Sequence, residues 1–196
     1  MPRRIRIVTP TYFHVLNRSV RRARLFETPD DYHAFLDALG VAQRRVPMPI
    51  VAYCIMPNHF HFVLGPTQTA DLSKFMHRFT VLHSMRWHRF RGTVGTGPVY
   101  QGRFRAYPIQ DEVQFVFVCR YVERNPLRAD LVARAEQWPW SSLGKDRRIC
   151  DQSLLSPWPI PRPSAWADLV NGQKTGSLRH PVSWTDALQD SRMAPF

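Results

Sequence analysis

The chain has 196 residues, 44% of them hydrophobic, with 27 Lys and Arg against 15 Asp and Glu, a net charge of +12 and an isoelectric point near 10.6. This length, with twelve Phe, supports one packed domain plus an appendage and excludes a disordered chain. No apolar run reaches the roughly 18 residues of a membrane span, and the basic start Met1-Pro2-Arg3-Arg4 lacks the apolar stretch of a secretory signal.

All but three of the basic residues (Lys74, Lys145, Lys174) are Arg, whose planar fork grips phosphate bidentately and stacks on bases. A GC-rich genome could raise Arg over Lys, but it would not raise basic over acidic residues. A polyanionic partner, nucleic acid first, is therefore expected. Cys54, Cys119 and Cys150 are dispersed and odd in number, without C-x-x-C spacing. That argues against a disulfide framework or zinc knuckle and for a cytoplasmic protein; the expected nucleic-acid partner adds association with the nucleoid.

In chain order, a basic lead-in with Arg3, Arg4 and Arg6 precedes a strand over Thr11–Asn17. A basic loop with Arg18, Arg21, Arg22 and Arg24 follows. Thr28-Pro29-Asp30-Asp31 opens a helix with an N-cap, a proline at the first position and acids in the first turn. Tyr32, Phe35, Leu36 and Leu39 recur on its apolar face, and Pro47 closes it. Two apolar runs around Met56-Pro57-Asn58 form a hairpin over roughly 50–65. Asp71 is expected to cap a second helix with the stripe Leu72, Phe75, Met76, Phe79 and Leu82, and with Lys74, Arg78, Arg86 and Arg89 opposite. Beyond a glycine-rich loop over 92–98, Tyr100–Tyr107 reads as a strand with Arg103 and Arg105 on one face. Asp111 opens a third helix, apolar on several sides, to about Arg124. Past residue 138, Trp138, Trp140, Trp158, Trp166 and Trp184 alternate with prolines, in an extension that packs on the domain or wraps a partner. The expected class is α+β, a ferredoxin-like antiparallel sheet backed by helices, with a domain over 1–140 and an extension over 141–196.

The chemistry concentrates at His59-Phe60-His61. Side chains alternate along a strand, so the two imidazoles share one face while Phe60 and Phe62 point to the other. Two neutral imidazoles at this spacing can hold one divalent ion, although such a pair can also be only a half-exposed surface feature. On the third helix, Tyr121 and Asn125 are one turn apart, and Gln114 falls on the same strip. Asn125 also reads as a helix terminator, because Pro126 disfavours the helical conformation of the residue before it.

Several segments occur in one order: Y-F-H-V-L-N at 12–17, T-P-D-D-Y at 28–32, M-P-N-H-F-H-F-V-L at 56–64, Y-Q-G-R-F-R at 100–105, R-Y-V-E-R-N-P-L-R-A at 120–129 and W-P-W-S-S at 138–142. Together they resemble the REP-associated tyrosine transposases, which belong to the His-hydrophobic-His superfamily and are similar to the IS200-like single-tyrosine transposases. The resemblance spans about residues 5–145. It implies a ferredoxin-like fold, a metal site at His59, His61 and Asn125, Tyr121 as nucleophile, and cleavage and rejoining of palindromic-repeat DNA through a 5′-phosphotyrosine. Magnesium or manganese is the cofactor expected, and single-stranded or hairpin DNA the partner. Asn17, Arg18, Arg21, Arg22, Arg24, Arg103, Arg105 and Arg128 would supply the DNA-binding surface. Asn17-Arg18-Ser19 departs from the Arg-Gly expected there, which leaves that turn's geometry open. Rival readings are a silent DNA-binding regulator, a replication initiator or relaxase, and a zinc hydrolase, which would need an H-E-x-x-H that the chain lacks. Whether the protein is a monomer or a homodimer stays open.

Overall fold

A computed structural model describes residues 11–144 and 152–172. Seven elements build the domain: β1 (Tyr12–Arg18), α1 (Pro29–Arg45), β2 (Ile50–Met56), β3 (His59–Leu64), α2 (Thr69–Arg91), β4 (Arg105–Ile109) and α3 (Glu112–Arg128). The strands form one antiparallel sheet in the order β2-β3-β1-β4. This is the ferredoxin-like α+β arrangement expected.

Strand alternation sorts the side chains into two layers. Val15, Tyr53, Ile55, Phe60, Phe62 and Leu64 meet Phe35 and Leu39 of α1 and Phe75 and Phe79 of α2 in one core. On the other face, Tyr12, Ala52, Cys54, Met56 and Val63 meet Phe115, Val118, Cys119 and Val122 of α3. The sheet thus separates the two preceding helices from α3.

Asp31 anchors the start of α1. Its carboxylate accepts from the Glu27 and Thr28 N–H groups at 2.8 and 3.0 Å and from the Arg91 guanidinium at 2.9 and 3.0 Å, tying the end of α2 to the start of α1. Gly65 follows β3 because the Tyr12 ring lies against it; a Cβ there would stand 2.5 Å from that ring.

Three expectations need correction. Helix α2 begins two residues before Asp71, with Gln68 as N-cap. Asp71 already donates its N–H to the Gln68 carbonyl at 2.9 Å, so its carboxylate serves the first turn and pairs with Lys74 at 3.2 Å. The last strand begins only at Arg105, so Arg103 lies in the turn before it and the two do not share a strand face. Helix α3 does not stop near Arg124 but runs through Pro126 to Arg128. Pro126 has no N–H for the Val122 carbonyl; the Asn125 amide donates to that carbonyl at 3.3 Å and to that of Tyr121 at 3.0 Å. Asn125 therefore continues the helix rather than ending it.

The tryptophan-rich segment packs on the domain as far as it is described; Trp184, Cys150 and the basic residues before position 11 lie outside the described residues. Strand β2 is an edge, and an edge exposes unpaired backbone groups. The chain covers it: Ile55 N–H donates to Trp140 O at 2.9 Å, Ser142 N–H to Tyr53 O at 2.9 Å and Ser156 N–H to Ile50 O at 2.8 Å. The Trp138 and Trp158 indoles donate to Ile55 O and Val51 O. A short helix, α4 (Trp166–Asn171), docks on α3. Arg120 and Arg124 of α3 donate to the carbonyls of Leu169, Val170 and Gly172 at its end, where cations complement the helix dipole.

Beneath α4 sits Glu123, 1% exposed. It accepts from Ser142 Oγ at 2.6 Å and from the Trp166 indole at 2.5 Å. Replacing Trp166 with Phe keeps the ring and deletes a donor to this buried carboxylate. The expected loss is about 1–3 kcal/mol of unfolding free energy in urea; an unchanged midpoint would refute that role.

Candidate active site at the sheet–α3 interface

The central register creates the site. Leu16 pairs with His61 and Arg18 with His59 across β1 and β3, while Leu16 also pairs with Arg105 across β1 and β4. Paired residues share a face, so His14, Arg18, His59, His61 and Arg105 all point toward α3. The His59 and His61 rings lie 5.0 Å apart. Tyr121 of α3 sits above them half-buried, its ring 5.8 Å from those of both His61 and His14. The Arg128 guanidinium lies 5.1 Å over the Tyr121 ring. Asn125 is buried one helical turn beyond Tyr121.

Two residues of this cluster carry no role in the sequence reading. His14 is fully buried, with Nε2 3.0 Å from His61 Nδ1 and the rings nearly parallel. Asn58 is a residue of the hairpin turn and is buried; its amide nitrogen donates to Arg22 O at 3.1 Å and its oxygen lies 2.6 Å from His59 Nδ1. A polar residue at an inward position of an apolar strand was the available signal for His14. For Asn58, adjacency to His59 gave only a turn.

Burial drives the imidazoles to their neutral form. His14 and His59 are lowered to about 3, His59 with help from Arg18. His61 is pushed well below its usual value by burial, by the other two histidines and by Arg18 and Arg128. Neutral rings keep a lone pair for a cation.

His59, His61 and Asn125 each keep an atom that could ligate a cation. His59 has Nδ1 engaged by Asn58, His61 has Nδ1 engaged by His14, and Asn125 has its nitrogen spent on backbone carbonyls. Each retains one atom, Nε2, Nε2 and Oδ1, able to ligate. Among the described residues, no cluster of three or more His, Cys, Asp or Glu is arranged to hold a metal.

The expected DNA-binding residues divide. Arg18 lies where Arg22, Arg105 and Tyr121 come close enough to act on its charge. No turn forms at Asn17-Arg18-Ser19: Arg18 ends β1 and Ser19 stays extended, so the chain turns only at Val20–Arg22, where Arg21 and Arg22 have φ of 55° and 57° and, with Arg24, are exposed. Arg105 and Arg128 are exposed on the site's side. Asn17 is not brought there. It points to the opposite face, is 7% exposed, donates to Gly102 O at 3.2 Å and accepts from Arg18 N–H at 2.8 Å. Arg103 lines a groove on that same opposite side, beside α2. Gln114 leaves the strip as well, because its side-chain oxygen accepts from Gln110 N–H at the start of α3.

Fold and cluster together define an α+β protein of ferredoxin-like topology, with an imidazole pair on the sheet facing a tyrosine on the helix that crosses it. The family described as "Transposase IS200 like" matches residues 7–125, and the chain belongs to that family. It is 25% identical over 144 residues to the REP-associated tyrosine transposase of Escherichia coli (strain K12), covering 74% of this chain and 82% of that relative. It also superposes on the solved structure of a REP-associated tyrosine transposase bound to a REP hairpin, with a TM-score of 0.57 at 20% identity, covering 80% of this chain and 88% of the other. Among the described residues, no helix is long and apolar enough to cross a membrane.

Proposed function

We propose that this transposase-family chain cleaves and rejoins single-stranded DNA at hairpin-forming palindromic repeats, with Tyr121 as nucleophile. The observation that carries the reading is the meeting of Tyr121, 5.8 Å ring to ring, with His61 of the neutral imidazole pair. The Escherichia coli relative and the hairpin-bound neighbour support the choice of substrate.

The Tyr121 phenol oxygen attacks the scissile phosphorus, the bond to the 3′ oxygen breaks, and a 5′-phosphotyrosine forms. The phenol gives up its proton and the departing 3′ oxygen takes one. Arg128 over the ring, with Arg18 near enough to interact with Tyr121, would offset the negative charge that builds on phenol and phosphate. A later 3′-hydroxyl attacks the same phosphorus and reseals the strand without an external energy source. His59, His61 and Asn125 would hold magnesium or manganese, which supplies Lewis-acid polarisation of a phosphate oxygen.

Incubating the full chain with end-labelled hairpin oligonucleotides and magnesium or manganese should give a covalent complex that survives denaturing gels. Its absence under every metal and hairpin tested would overturn the reading. Binding should also fall steeply with salt. About four phosphate contacts from Arg18, Arg21, Arg22, Arg24, Arg105 and Arg128 give a log–log slope of roughly −3, and a flat response in filter binding would remove the basic surface from the account.

A further inference from the structure

His14 is not placed as a ligand, since its Nε2 is already 3.0 Å from His61 Nδ1. We propose that His14 is a positioning residue: it accepts a hydrogen bond from His61 Nδ1–H and holds His61 in the tautomer whose Nε2 is a bare lone pair aimed for coordination. This rests on the reading of His59 and His61 as ligands.

The argument starts from His59. The Asn58 amide nitrogen donates to Arg22 O, which fixes the amide's orientation and turns its oxygen to His59 Nδ1. A carboxamide oxygen only accepts, so His59 Nδ1 carries the proton and Nε2 is bare. His61 has the equivalent contact, but its partner is an imidazole, which accepts or donates according to tautomer. Both rings are buried, and their 3.0 Å nitrogen–nitrogen contact needs one ring to donate and the other to accept. If His14 donated, His61 Nε2 would carry a proton and could not bind a cation.

Charge decides between the two. Two cations border His61: Arg128 lies 5.1 Å over the Tyr121 ring, whose centre is 5.8 Å from that of His61, and Arg18 stands across from His59 on the same face. Nε2 is the nitrogen not engaged by His14, and a lone pair there is favoured over an N–H dipole in a field of that sign. The register makes the contact durable: Leu16 sits opposite His61, so His14 meets it diagonally from the neighbouring strand on the same face.

The arrangement has a cost, visible in the structure. His14 Nδ1 is buried with no hydrogen-bond partner among the described residues. A phenylalanine would fill the space without stranding a polar atom. With Nε2 accepting from His61, His14 Nδ1 carries the unpartnered proton, which simple packing would avoid and a hydrogen bond that positions His61 would offset. Partners that fix a ligating imidazole from behind are a general feature of metal sites.

Long-range proton–nitrogen NMR of the metal-free full chain, with its histidines nitrogen-15 labelled, reads the tautomer directly. His61 should show protonated Nδ1 and bare Nε2; a protonated Nε2 in the unmodified protein overturns the proposal. His14→Phe keeps an aromatic ring and removes the acceptor. His61 should then revert to the Nε2–H form, and Mn²⁺ affinity, followed by electron paramagnetic resonance, should fall about 10–100-fold. His14→Gln restores an acceptor and should recover most of that affinity. Unchanged tautomer and affinity in a folded His14→Phe protein would sink the positioning role. Absence of Mn²⁺ binding by the unmodified chain would instead sink the ligand reading, while the tautomer measurement would still judge His14.

Discussion

Tyr121→Phe should abolish covalent capture of hairpin DNA, by at least about 10⁴-fold in rate, as expected when the group that forms the bond is removed. The substitution deletes one oxygen and nothing else of consequence. The ring keeps its places against His14, His61 and Arg128, so folding and hairpin affinity should match those of the unmodified chain. Denaturing gels with labelled hairpins read the first effect, and filter binding reads the second. An adduct that persists would move the nucleophile to another residue. Lost adduct with lost binding would mean that Tyr121 serves recognition rather than bond formation.

Acid should destabilise the metal-free protein well before ordinary carboxylate titration is complete. His83, 2% exposed beside Tyr100, and His14, fully buried, are both lowered from 6.5 to about 3 by burial, with Arg91 adding to the effect on His83. A histidine depressed in the folded state contributes stability that is complete above about pH 6.5. That contribution is lost as pH falls toward 3, because the unfolded chain takes up protons that the folded one cannot. At about 1.36 kcal/mol per pH unit, each withdraws about 2 kcal/mol by pH 5. His59 and His61 act in the same direction. Glu123 opposes them, since burial raises its carboxyl and folding favours its protonated form, but it is one group against four. From His14 and His83 alone, the midpoint of thermal unfolding should drop by roughly 8–16 °C between pH 7 and pH 5. A flat or rising profile by circular dichroism would contradict this. His83→Phe should flatten the slope without touching the active-site cluster.

These expectations draw on two kinds of information in the chain. The start of α1 at Thr28-Pro29-Asp30-Asp31, the hairpin around Pro57-Asn58 and the common face of His59 and His61 rest on neighbours two to four residues apart. Their spacing alone determined them, because helix and strand periods act over such distances. The one-turn relation of Tyr121 to Asn125 was legible for the same reason, and the order of elements was enough to indicate the sheet.

What lay beyond reach depended on which segments meet. That β1 lies beside β3, with Leu16 across from His61, is decided by burying Phe60 and Phe62 against α1 and α2 on one side and Cys54 and Val63 against α3 on the other. Only that register turns His14 from a strand residue into a partner of the imidazole pair and sends Asn17 away from it. The continuation of α3 past Pro126 likewise depended on where the Asn125 amide found its acceptors. The fate of the tryptophan-rich segment depended on an open strand edge and a buried Glu123 awaiting donors. Local spacing determined which groups could act together within an element. The tertiary structure decided which elements share a face, because a one-residue slip in strand register would have moved every one of these side chains to the other side of the sheet.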